Sequence, residues 1–350
     1  MTITMETNYS EIMQLFRKYP ELEKILDICL PGEMTEQNAS KTIFALGERN
    51  AYNAMISLNL ILEELEAGKE IYFELSENAV MGMFLFHRHP GRPWCFVIPA
   101  GDFVTVDLFK SAGVPIAVEL DKLGMNVAVW RHRTAAEVFG MEMLSAKMAG
   151  AGEIGAEVSE AEMSAEERAA ADLKPACSGH AQEGLFASAL MKDMGAAVFY
   201  MLQSFPDAEH YAVFGFSSGG VPAALWGTEK LGCAENGMPA PGAIVCAFAP
   251  LAEPFTSEAS AKTAKPETVT ASCLVTEKYP PTFLIHGELD EKVPIAHSEH
   301  MAQALKEKQV PFRFVRVADA RHNFGKGFHT EADGWLADAV KFCEEYMAKQ

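Results

Sequence analysis

The clearest chemical signal in the chain is the stretch YAVFGFSSGG, residues 211–220, where a hydrophobic run ends in two serines between glycines. Gly215–Gly219 match the pattern G-x-S-x-G between a predicted buried strand and a predicted helix. Small flanking residues allow a tight turn that lifts Ser217 above the sheet, at the N-terminal end of a helix. The pattern predicts a nucleophilic Ser217, although a Gly/Ser loop that only caps a helix gives the same letters.

A serine hydroxyl becomes a good nucleophile only when a base takes its proton and a carboxylate holds that base. Both residue types occur downstream, each just past a predicted strand: Asp290 in GELDEKVP and His322 in ADARHNFG. Catalytic groups of open α/β sheets collect at the carboxyl ends of strands. We therefore predict that Ser217, Asp290 and His322 meet at one edge of a sheet.

Other residues compete for two of these roles. Glu288 or Glu291 is an alternative for the acid, and His329 is an alternative for the base. Loop placement favours Asp290, and His322 follows its strand more directly than His329 does. The backbone N–H of Ser218, at the start of the helix, is expected to bind an oxyanion.

Alternating strand-like and helix-like stretches surround these residues. Most strand candidates are continuous apolar runs, as expected for a parallel sheet covered on both faces. The alternation predicts an α/β fold with a doubly wound, mostly parallel sheet and an antiparallel hairpin, 70–87, at one edge. The predicted strands are 70–75, 79–87, 95–100, 126–130, 211–216, 243–249, 282–287 and 312–317, and the predicted helices are 107–123, 184–204, 218–231, 295–309 and 332–347.

The sequence predicts two parts: an N-terminal helical arm or cap, residues 1–66, and a catalytic domain, residues 67–350. Two long stretches, 135–180 and 250–279, break the alternation and are either lid-like insertions or solvated surface loops. The arm is a set of helices packed on the core, a cap over the pocket, or an oligomer interface. Nothing in its residues decides between these alternatives.

Composition limits the class of partner. A net charge of −19 opposes binding to nucleic acid or to an anionic membrane surface. The 7 cysteines are scattered, without the spacing of metal ligands, which favours a reduced compartment. The start of the chain has no pattern of a signal peptide, and no stretch is apolar enough to span a bilayer. The expectation is a cytoplasmic protein without a metal.

The segment from about Tyr72 to the C-terminus resembles the α/β-hydrolase superfamily, through GFSSGG, TFLIHGELDEKVP and RHNFG in that order. The motifs are most similar to the esterase/lipase branch, near acetyl esterases and prolyl-oligopeptidase-like members. The resemblance implies Ser217 as nucleophile, His322 as general base and acid, and Asp290 as the group that orients the histidine. It implies no cofactor.

In that superfamily a loop after an early strand supplies the second oxyanion donor, often as HGGG. Here Ala100, Gly101 and Asp102 depart from that pattern. The amides of Gly101 and Asp102 are candidates, while the carboxylate of Asp102 would oppose an oxyanion. Phe103 and Phe216 are candidates for an apolar substrate pocket or, equally, for core packing.

The resemblance implies hydrolysis of a small carboxylic ester through an acyl-enzyme. Within the same fold, a peptidase and a thioesterase are alternatives. A non-catalytic hydrolase-fold binding protein is a third, but it would have no chemical need for all three residues of the constellation.

Overall fold

The computed structural model describes residues 2–19, 35–76, 81–101, 105–139, 179–251 and 270–348. Most of the two predicted insertions, 135–180 and 250–279, lies outside these residues. The division of the chain at residue 66 stays a prediction.

One eight-stranded sheet organises the described residues, in the order β1-β2-β4-β3-β5-β6-β7-β8. The two strands of the predicted hairpin pair antiparallel at one edge, and the strands from β3 to β8 pair parallel. This confirms the predicted fold class. The strands are β1 Tyr72–Glu74, β2 Gly82–Phe86, β3 Trp94–Ile98, β4 Asn126–Arg131, β5 Tyr211–Phe216, β6 Ala243–Ala247, β7 Thr282–Gly287 and β8 Phe312–Val317.

The central strands are buried along their whole length because the sheet has a hydrophobic core on each face. Successive side chains of a strand point to opposite faces, so β5 contributes Phe214 and Phe216 to one core and Tyr211 and Val213 to the other. The two edge strands, β1 and β8, are half-exposed or exposed at most of their residues.

Eight helices lie in the described part of the chain. Both N-terminal helices pack against one face of the sheet. The same hydrophobic core contains residues of the strands, Tyr9 and Ile12 of α1, and Leu58 and Ile61 of α2. The helices are α1 Tyr9–Phe16, α2 Glu48–Glu66, α3 Val114–Lys122, α4 Ala135–Phe139, α5 Gly179–Ser204, α6 Gly220–Trp226, α7 Ala296–Glu307 and α8 Trp335–Met347.

Two helices are shorter than their patterns predict, and local hydrogen bonds explain one of them. The predicted helix 107–123 begins only at Val114, because the Asp107 carboxylate accepts hydrogen bonds from the Lys110 amide and the Ser111 hydroxyl in a turn. The predicted helix 218–231 begins at Gly220, after a single 3-10 turn, Ser217–Gly219, and ends at Trp226.

Candidate active site

Ser217 sits in a strained turn between β5 and α6. Its φ of 49° is in the left-handed region, which non-glycine residues adopt mainly at constrained sites. A Cβ on Gly215 would lie 2.5 Å from the carbonyl oxygen of Gly219, and one on Gly219 would lie 2.3 Å from that of Pro99. The turn therefore admits only glycine at both positions and places Ser217 beside the end of β3.

The Ser217 hydroxyl meets the imidazole of His322. Oγ of Ser217 lies 2.9 Å from Nε2 of His322, and Nδ1 of that ring lies 2.7 Å from Oδ2 of Asp290. A carboxylate can only accept a hydrogen bond, so Nδ1 of His322 carries the ring hydrogen and donates it to Asp290. Nε2 is then free of hydrogen and can accept the proton of the Ser217 hydroxyl. The structure thus brings together the three residues that the sequence analysis placed at strand ends.

The Asp290 carboxylate is almost fully enclosed and heavily hydrogen-bonded. Its Oδ1 accepts from the amides of Lys292 and Val293, at 3.0 and 2.9 Å. Burial raises the pKa of Asp290, but hydrogen bonds from His286, from His322 and from the Val293 amide lower it more, to well below its usual range. Asp290 is therefore an anion at neutral pH.

His286 is a neighbour of the site that the sequence analysis missed. It is fully buried on β7, with Nε2 2.8 Å from the carbonyl oxygen of Val293 and 3.2 Å from Oδ2 of Asp290. Both of those atoms are acceptors, so Nε2 carries the hydrogen, and Nδ1 accepts from the Ser298 hydroxyl at 2.8 Å. The available signal was a histidine inside the apolar run TFLIHG, four residues before the acid.

The competing candidates lie elsewhere. Glu288 accepts from Arg316 at 2.8 Å, and Glu291 accepts from Arg321 at 2.6 Å, so both pair at the surface. His329 lines a separate cavity beside α2. Among these alternatives, only Asp290 and His322 have the contacts that link a carboxylate to Ser217.

Aromatic rings fix the position of His322. The Phe248 ring packs edge-on against the imidazole, with 5.5 Å between centroids, and Phe324 packs on Phe248 at 4.8 Å. Phe216 is fully buried between Phe248 and Trp335. Phe216 therefore has a core position, and its assignment to a substrate pocket stays a prediction.

The candidate oxyanion groups are only partly described. Ser218 is buried in the middle of the turn before α6, and its role as an amide donor stays a prediction. Gly101 follows β3, and a Cβ on it would lie 2.1 Å from the Thr105 carbonyl oxygen. Asp102 and Phe103 lie outside the described residues, so their roles stay predictions.

The described residues contain no group of three or more His, Cys, Asp or Glu side chains that would hold a metal ion. Across the same ranges, no helix is both long and apolar enough to cross a membrane.

The sequence model of the prolyl oligopeptidase family matches residues 180–350, which contain Ser217, Asp290 and His322. No curated protein matches the chain significantly.

Three solved structures are similar in fold. A sugar hydrolase from Lactococcus lactis is 16% identical at a TM-score of 0.55, covering 80% of this chain and 99% of its own. An α/β hydrolase from a Medee basin deep-sea metagenome library is 15% identical at 0.51, covering 80% and 98%. A lipase/esterase from Lactobacillus plantarum is 16% identical at 0.50, covering 79% and 98%.

The sheet and these similarities show that the chain has the α/β-hydrolase fold, as the resemblance implied. With the family match and the geometry at Ser217, the class of protein is a serine hydrolase of the α/β-hydrolase fold.

Proposed function

We propose that the protein is a carboxylesterase that cleaves small esters through an acyl-enzyme on Ser217. The observation that carries this proposal is the continuous hydrogen-bonded chain from Ser217 through His322 to Asp290, with distances of 2.9 and 2.7 Å. Each distance lies within the hydrogen-bond reach that nucleophile activation requires. The three residues therefore act as nucleophile, base and orienting acid.

In the acylation step, His322 takes the Ser217 proton at Nε2 while Oγ attacks the ester carbonyl carbon. The imidazolium that forms is stabilised by the anionic Asp290, and it then protonates the leaving alcohol. In the second half, His322 takes a proton from water and the hydroxide attacks the acyl carbon. The bond between that carbon and Ser217 Oγ then breaks, the carboxylic acid leaves, and His322 returns the proton to Ser217. No step requires a metal or an organic cofactor.

The oxyanion of each tetrahedral intermediate needs backbone donors near Ser217. We assign the Ser218 amide as one donor and the amides of Gly101 and Asp102 as candidates for the second. The close approach of the Gly219 backbone to Pro99 supports this assignment, because it brings the loop after β3 beside the turn. Removal of one such donor costs roughly 3 kcal/mol of barrier reduction.

Small esters are favoured as substrates. One similar structure is named a lipase/esterase, which supports ester chemistry by likeness of fold. The net charge of −19 disfavours polyanionic partners such as nucleic acid and anionic membrane surfaces.

The scattered cysteines support a cytoplasmic location. The arm is proposed to be a set of helices packed on the core, because Tyr9, Ile12, Leu58 and Ile61 belong to the same core as the strands. A cap over the pocket and an oligomer contact are the alternatives for it.

Peptide hydrolysis is the second candidate, because residues 180–350 match the prolyl oligopeptidase family. The two activities use the same triad and differ in the leaving group. A thioesterase would also use this triad, so a panel of substrates must separate the three.

The test compares p-nitrophenyl esters of two to eight carbons, acyl thioesters of the same lengths and proline p-nitroanilides, with wild type and Ser217→Ala. We expect kcat/KM for esters to exceed that for anilides at least about tenfold and to be lost in Ser217→Ala. Preferred cleavage of anilides or thioesters would replace the esterase assignment. Inactivity of folded wild type on the whole panel would favour a non-catalytic binding protein.

A further inference from the structure

A cavity lies between the first turns of α2 and the loop that follows His322. Its volume is about 330 Å³, and its walls include Arg49, Tyr52, Phe324, Lys326 and Phe328. This volume is in the range of sites that hold small organic molecules. Neither Ser217 nor His322 lines the cavity, so it is distinct from the candidate active site.

The mouth of this cavity presents bare aromatic surface. Tyr52 is 37% exposed and Phe328 is 51% exposed, and they are two of the five large hydrophobic side chains that are exposed in the described part of the chain. Met5 and the buried Phe324 extend the apolar wall inward. Apolar surface gathered at a concave site favours a ligand with an apolar body.

Lys326 holds the two rings in place. Its ammonium lies 4.9 Å from the ring centroid of Tyr52 and 4.8 Å from that of Phe328, within cation–π distance of both. The same ammonium donates to the half-buried Glu119 carboxylate at 3.1 Å, so this carboxylate already balances its charge. Lys326 therefore shapes the cavity more than it attracts an anion.

Arg49 has free hydrogen-bonding capacity at the same mouth. Its Nη2 donates to the carbonyl oxygen of Asn323 at 2.6 Å, and in the described part of the chain this is the one hydrogen bond of its guanidinium. A guanidinium has five N–H donors in a planar fork that matches a carboxylate. The Glu48 carboxylate also lines the cavity, and the Asp107 carboxylate acts on Arg49 electrostatically. Within the described residues, neither carboxylate forms a hydrogen bond with the guanidinium.

We propose that this cavity is a binding site for a small organic carboxylate with an aromatic body. The carboxylate pairs with the free N–H groups of Arg49, and the ring packs against the exposed surface of Tyr52 and Phe328. The site does not depend on the proposed esterase activity, because its residues do not include the triad.

The test is calorimetric titration of the full chain with 3-phenylpropionate, in wild type, Arg49→Gln, Phe328→Ala and Arg321→Gln. Arg321 is the matched control, since it is an exposed arginine of the same loop region that pairs with Glu291 outside the cavity. We expect the Kd to rise about tenfold or more in Arg49→Gln and in Phe328→Ala, and to stay within about twofold in Arg321→Gln. The neutral analogue 3-phenylpropan-1-ol should bind at least about tenfold more weakly than the carboxylate.

Three results would overturn the proposal. They are no binding to wild type up to about 10 mM, an unchanged Kd in the two cavity variants, and inorganic phosphate binding as tightly as 3-phenylpropionate. The second result would place the ligand elsewhere, for example at Ser217. If Arg49→Gln fails to fold by circular dichroism, Phe328→Ala decides, because its ring is exposed and contributes little to the core.

Discussion

Nε2 of His286 and Nδ1 of His322 lie 3.2 and 2.7 Å from the same atom, Oδ2 of Asp290. Oδ1 of this carboxylate accepts hydrogen bonds from two backbone amides. Because all four groups converge on the carboxylate, its orientation is fixed, and this fixes the plane of the His322 imidazole. His286 of β7 therefore helps to position Asp290 in the candidate triad.

Replacing Asp290 with Asn should leave the turn at Ser217 intact but remove the anion that stabilises the imidazolium. We expect kcat to fall on the order of 10⁴-fold, since the amide also disturbs the tautomer of His322. Stopped-assay kinetics on a p-nitrophenyl ester measure this. Glu291→Gln, which loses only a surface pair with Arg321, is the control and should keep activity within about twofold. Equal loss in both variants would refute the role of Asp290.

Replacing His286 should act through Asp290 and not on substrate binding. In His286→Leu, Asp290 loses one donor and Ser298 loses its acceptor, so we expect a drop in kcat of about tenfold and little change in KM. His286→Gln keeps an N–H in nearly the same place and should restore part of kcat. If Gln and Leu lower kcat equally, or if only KM changes, a positioning role for His286 is wrong.

The strained turn makes a specific prediction at Gly215. An added Cβ would lie 2.5 Å from both the Ala223 Cβ and the Gly219 carbonyl oxygen, which forces the turn to shift. We expect Gly215→Ala to lose about 1–3 kcal/mol of unfolding free energy and most of its activity. Gly237→Ala is the comparison, because that glycine has a φ of 67° with open space around it. Gly237→Ala should lose about 1 kcal/mol of unfolding free energy through backbone strain and keep normal activity.

The buried His132 should make stability depend on pH. Burial lowers the pKa of His132 to about 4, although a hydrogen bond to the Arg133 carbonyl oxygen opposes the shift. The unfolded chain, with a histidine pKa near 6.5, binds more protons between these values, so folding stability falls as pH falls from about 6.5 to 4. Urea unfolding should show wild type losing about 2 kcal/mol more than His132→Gln between pH 7.5 and pH 5. Parallel pH profiles would contradict this.

The sheet was predictable because its strands are continuous apolar runs separated by helical patterns. The position of β4 between β2 and β3 could not be predicted. Strand pairing is non-local, and the apolar pattern of a strand does not indicate which strands lie beside it. The predicted start of a helix was wrong where a side chain binds backbone groups that the helix would use, as Asp107 does before α3.

The site was predictable in its reacting groups, since Ser217, Asp290 and His322 each follow a strand that ends at the same edge. The contribution of His286 could not be predicted, because a histidine inside an apolar run has the sequence pattern of a core residue. The cavity beside α2 was also hidden, since Arg49 and Phe328 are far apart in the chain and meet only in the folded protein.

Ser217 is proposed to be a nucleophile that His322 activates. Labelling of folded wild type with an alkyl fluorophosphonate, followed by intact mass and peptide mapping, tests this role. We expect one adduct on Ser217, none in Ser217→Ala, slow labelling in His322→Gln and normal labelling in the neighbouring variant Ser218→Ala. Absence of an adduct on folded wild type, or an adduct on another residue that persists in Ser217→Ala, would contradict it.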